Sequence, residues 1–124
     1  GMNWRTKKKI KYILIWLVVW IVLSVAGYFA TPYVYDLDVV VRVFASLNVA
    51  TILVMGFDKL AAIVRFHRVP ELGFYLMTLL GGSIGMLIGM YAFRHKTRKT
   101  SFQIVVGLLI LVQLSLIYYF WYNV

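Results

Sequence analysis

Leu72–Phe93, LGFYLMTLLGGSIGMLIGMYAF, runs for 22 residues without a charge, and its reading decides the fold. As one straight helix it is about 33 Å long, enough to cross roughly 30 Å of hydrocarbon. Bent at Gly81-Gly82, it is instead a hairpin that enters the apolar layer and returns to the side it left. Gly81, Gly85 and Gly89 recur at four-residue steps, with Gly82 beside them. This is the small-xxx-small spacing of a glycine-zipper packing face, where helix backbones approach closely, and it favours the continuous span. The glycines fail as a phosphate loop. A Walker sequence needs Gly-x4-Gly-Lys-Ser/Thr after a strand, whereas Gly85 is followed by Gly89 and Met90.

The rest of the chain defines the solvent. Its 124 residues leave room for one domain, and they are 63% hydrophobic, 17% aromatic and 14% charged, with mean hydropathy +0.87. A soluble domain carries about 25% charged residues and could not bury so much apolar surface. The expectation is an all-α integral membrane protein, a small bundle of four hydrophobic helices with the third Gly-rich. As a single membrane domain over 1–124 it has helix 1 at 12–35, helix 2 at 38–64, helix 3 at 70–93 and helix 4 at 100–122. Tyr12–Tyr35 follows five basic residues and holds 24 uncharged ones, too many for a signal-peptide core of roughly 7–15. Val43–Phe57 holds only 15, so a span there carries Arg42, or Asp58 and Lys59, near its ends. Pro70 and Glu71 suit a helix start. Thr100 or Ser101 can cap the last helix, and Tyr118, Tyr119, Trp121 and Tyr122 form an aromatic belt at its far end. With no cysteine, disulfides and thiol chemistry are excluded.

Charge pulls against the glycine spacing. There are 13 Lys+Arg and 4 Asp+Glu. With four spans and a cytoplasmic N-terminus, eight basic residues fall inside and five outside, a weak positive-inside bias that also fits insertion in both orientations. With Leu72–Phe93 re-entrant, the split is twelve to one. The continuous span is taken as the expectation, with the hairpin as its alternative. The side of Arg94–Lys99 depends on which holds.

From Asn48 to Gln113 the sequence resembles a family of small bacterial membrane proteins, domain of unknown function 1294. The resemblance rests on Asp58-Lys59 with Ala62, Arg68-Val69-Pro70-Glu71, Leu80-Gly81-Gly82, Gly85 and Gly89-Met90. It continues through Arg94-His95-Lys96-Thr97, Lys99, Phe102 and Gln113. It covers about half the chain and leaves the first helix outside. It implies a bacterial cell (inner) membrane location, multi-pass, and brings no activity with it. Some members carry an N-terminal cold-shock domain that is not read here, so nucleic acid is a partner by family association only.

Candidate functional residues are few. An ionisable residue within a span is costly, which singles out Asp58-Lys59 as an intramembrane charge pair. The bland reading puts Asp58 at a helix end, neutralised by a basic neighbour such as Arg65 or Arg68. Upstream, Asn48, Thr51, Met55 and Asp58 recur at three- and four-residue steps as a polar stripe suited to a helix seam. Arg68, Arg94, His95, Lys96, Thr97 and Lys99 are candidates for anion or headgroup binding. His67, Glu71 and His95 make a poor metal site, and Ser83 has no local base, so no catalytic residue, metal or cofactor is assigned. The resulting expectation is a non-enzymatic module engaging anionic lipids of the bilayer, or a membrane- or nucleic-acid-associated partner, through basic juxtamembrane turns. A homodimer is a candidate assembly. The alternatives are a small dimeric transporter or channel using Asp58, and a lipid-modifying enzyme.

Overall fold

The computed structural model describes residues 3–31, 38–93 and 100–123. These form α1 (Trp4–Ala30), α2 (Val39–Ile63), α3 (Glu71–Met77), α4 (Ser83–Ala92) and α5 (Thr100–Asn123), with one wide turn, Thr78–Gly82, between α3 and α4. No strand occurs among the described residues. Four helical segments are long and apolar enough to cross a membrane, Glu71–Ala92 counting as one of them.

α1 starts well before the expected residue 12. The Asn3 side chain accepts from the Thr6 N–H at 2.8 Å and caps the helix. Lys and Arg are good helix formers, so the edge of the charge run marks a change of solvent and not a helix end. α1 and α2 run antiparallel. Trp20 Nε1 donates to Thr51 Oγ1 at 2.9 Å, and Arg42 Nη2 donates to the Tyr28 carbonyl at 2.7 Å near the opposite end.

The third hydrophobic segment doubles back. Val69 N–H donates to Asp58 Oδ1 at 2.8 Å, and Lys59 Nζ donates to the Phe93 carbonyl at 2.8 Å. Two adjacent residues of α2 therefore hold the two opposite ends of this segment. A straight 22-residue helix would separate those ends by about 33 Å. Between them, Gly85 N–H donates to Asn48 Oδ1 at 2.7 Å, about 15 Å down α2 from Asp58 at 1.5 Å per residue. α3 thus descends antiparallel to α2, the chain reverses at Gly81, and α4 climbs back alongside α2.

This corrects the preference for a continuous third span, while the all-α architecture and the glycine-rich third segment stand. The physical reason lies in the glycine register. Gly81 has φ 121° and ψ 0°, a conformation open to glycine and strained for other residues. It ends one arm and does not continue the face of the next. The glycines that meet the polar stripe of α2 are Gly82, Gly85 and Gly89, against Thr51, Asn48 and Met55 respectively.

α5 closes the bundle. The Phe102 ring packs edge-on to Phe74 at 6.1 Å and stacks on Tyr75 at 5.4 Å, so α5 starts at the level of the hairpin's feet. It then runs past the tip. Phe74, Met77, Met86, Phe102, Val54, Met55 and Val106 form the buried core. Most large apolar side chains of α5 face outward, Leu108, Leu111 and Leu114 among them, as expected where the surroundings are apolar.

Candidate functional site

The feet of the hairpin are built on the last turns of α2. Asp58 is completely buried. One carboxylate oxygen accepts from the Val69 backbone, and the other accepts from Arg68 Nη2 at 2.9 Å in an ion pair. The Arg68 side chain is 41% exposed, so the pair joins a buried acid to a guanidinium that still reaches water. Asp58 and Lys59 do not pair with each other. Successive residues on a helix point about 100° apart. Asp58 therefore engages the entering strand of chain, and Lys59 turns to the departing one, capping the last carbonyls of α4. Glu71 opens α3, with Pro70 just before it accepting from the Gly73 N–H at 2.9 Å.

The tip is satisfied by side chains from two different helices. A turn at this depth frees backbone groups that a membrane interior cannot solvate, and they must find protein partners. Asn48 Oδ1 takes the Gly85 N–H at the start of α4. Gln113 Nε2 donates to the carbonyls of Thr78 and Leu79, at 3.3 and 3.1 Å. Thr78 Oγ1 itself donates to the Phe74 carbonyl at 2.9 Å. Neither Asn48 nor Gln113 stands among the expected site residues. The available signal was a lone amide in each of two otherwise apolar helices. Beneath the tip, where the hairpin stops short, Val43, Phe44 and Leu47 of α2 and Leu116, Phe120 and Trp121 of α5 flank a groove of about 930 Å³.

At the feet end, His67 stacks on Tyr12 of α1, centroids 4.5 Å apart. Among the described residues no three His, Cys, Asp or Glu side chains gather as they would around a metal ion. Arg94, His95, Lys96, Thr97 and Lys99 lie outside the described residues. Their flanks, Phe93 and Phe102, both sit at the feet end.

The match to known proteins falls on this same region. A family model described as protein of unknown function (DUF1294) matches residues 48–102. Uncharacterized protein YsdA of Bacillus subtilis (strain 168) is 37% identical over 71 residues, which is 57% of this chain and 80% of that protein. The chain belongs to the DUF1294 family. No solved structure matches it. The DUF1294 match begins at Asn48, which caps α4, and ends at Phe102, which packs on α3. It therefore frames the hairpin with its feet, while α1 lies outside.

Proposed function

We propose that this DUF1294 protein is a non-enzymatic membrane module whose basic end faces the anionic cytoplasmic leaflet, with the N-terminus inside. One observation carries this reading: both feet of the hairpin meet α2 at Asp58-Lys59. Among the described residues that arrangement leaves Arg5, Lys7, Lys8, Lys9, Lys11, Lys59, Arg65 and Arg68 towards one end and only Arg42 towards the other. A one-sided distribution is what the positive-inside rule selects. Each basic residue near an anionic surface contributes about 1 kcal/mol of attraction. The bacterial inner membrane, with anionic lipids as the immediate partner, follows from this reading. The transporter alternative has less support, because the Asp58 carboxylate is engaged by Val69 and Arg68 in holding the hairpin.

The test is sidedness. Single-cysteine variants His67→Cys, Ser101→Cys and Asn123→Cys, in a chain with no native cysteine, are labelled with a membrane-impermeant maleimide. Positions 67 and 101 are expected to label only in inside-out vesicles, and position 123 only from outside. Labelling of 67 and 101 from opposite sides would overturn both the re-entrant topology and the proposed orientation.

A further inference from the structure

The first two turns of α1 carry Arg5, Lys7, Lys8, Lys9 and Lys11, with no acid in the first turn. Cations there oppose the helix dipole and repel one another. A local misfit of this kind calls for a compensating partner. The turn after α2 supplies a second wall. Between the two lies a cleft of about 340 Å³, with Arg5, Lys8 and Lys9 on one side and His67 and Arg68 on the other. The Tyr12–His67 stack, 29° from coplanar, joins the walls. Lys8 Nζ sits 5.0 Å from the Trp4 ring. No acidic side chain lines the cleft. Asp58 bonds Arg68 and holds its guanidinium at the cleft wall, leaving the three cations of α1 without an acid in the lining. Trp4 and Tyr12 at its rim are the residue types that settle at the water–lipid boundary.

We infer that this cleft binds the phosphate of an anionic phospholipid headgroup. Guanidinium and ammonium donors from two elements converge on one small volume at headgroup depth, the arrangement charge-assisted phosphate binding needs. The inference rests on the proposed leaflet-facing basic end and deepens it from a charged surface to a discrete site. Because α1 lies outside the DUF1294 match, half of the site comes from outside the family segment.

Charge-matched variants separate a site from a surface. Arg5→Gln/Lys9→Gln removes two cations from the cleft. Lys7→Gln/Lys11→Gln removes two from the same turns that line only a neighbouring hollow formed by α1 alone. The full chain in mild detergent is titrated with phosphatidylglycerol, phosphatidylcholine of matched tails, inorganic phosphate and a short single-stranded RNA, and bound species are counted by native mass spectrometry. The wild type is expected to prefer phosphatidylglycerol. The cleft pair should weaken that binding about 30-fold, from roughly a factor of five per residue, and the control pair by less than about 3-fold. Equal losses in both pairs would discard the cleft and keep the general reading. No preference for phosphatidylglycerol would discard both. Tighter binding of inorganic phosphate or RNA than of the lipid, lost in the cleft pair, would overturn the lipid assignment. Both variants are on exposed positions of α1, and circular dichroism without lipid verifies that each remains folded.

Discussion

A methyl group added to Gly85 would overlap the carbonyl oxygen of Asn48 and lie 2.9 Å from its carbonyl carbon and 3.0 Å from its Cα. All three atoms are backbone of α2, so none can swing aside. Relief requires α4 to withdraw by on the order of 1 Å to reach a C···O contact of about 3.3 Å. That movement also stretches the 2.7 Å bond from Gly85 N–H to Asn48 Oδ1. Overpacking costs about 1–3 kcal/mol, and a buried polar pair pulled apart costs about 1–3 kcal/mol. Alanine's better helix propensity returns about 1 kcal/mol. Gly85→Ala is therefore expected to destabilise the fold by about 2–4 kcal/mol. At Gly89 the closest atom is Met55 Sδ, the movable end of a flexible side chain, and Gly89→Ala should cost about 1 kcal/mol or less. At Gly107 nothing lies within 4 Å, so Gly107→Ala should be neutral or stabilising by up to about 1 kcal/mol. The series is measured on the full chain in mixed micelles, by unfolding with sodium dodecyl sulfate and following helix content. A Gly85→Ala midpoint equal to that of Gly107→Ala would refute the close approach of α4 to α2.

Three further expectations concern the feet and the tip. Asp58→Asn should destabilise by about 2–3 kcal/mol, less than a fully buried pair because Arg68 is 41% exposed. A double-mutant cycle with Arg68→Gln should return a coupling of about 1–2 kcal/mol, and a coupling near zero would mean the pair contributes only through Val69. Gln113→Leu removes both donors to the tip carbonyls and should cost about 1–2 kcal/mol in the same unfolding titration, with no change if another donor already serves them. Gly81→Ala forces a side chain into φ 121° and should cost about 1–3 kcal/mol, whereas a harmless substitution would argue that the reversal lies elsewhere.

The apolar lengths of all four segments are legible in the residues, because a bilayer dictates them directly. The polar stripe Asn48–Thr51–Met55–Asp58 is legible as a seam, and three of its members meet the glycines of α4. Charge counting favours the hairpin, and the hairpin is what forms. The four-residue spacing of Gly81, Gly85 and Gly89 points the other way. Spacing cannot distinguish a glycine that packs a helix from one that ends it. Gly81 does the latter, and its neighbour Gly82 takes the place against Thr51. Asp58 is visible as a costly acid, but its partner is set by the turn that returns Val69 and Arg68 to the end of α2. Gln113 is harder still. Its role exists only because a reversal 30 residues upstream exposes two carbonyls, and nothing local to Gln113 signals it.

The support of the tip by Gln113 bears on how the protein is made. The hairpin's arms contact α2, which is synthesised before them, but the carbonyls of Thr78 and Leu79 are bonded from α5, which is synthesised after. Until α5 emerges, those carbonyls lack a donor that the finished bundle provides, and the hairpin cannot reach its final depth without that cost. Biogenesis therefore has an order built into it. The first two helices are free to settle as they leave the insertion machinery, whereas the hairpin and the last helix must mature together.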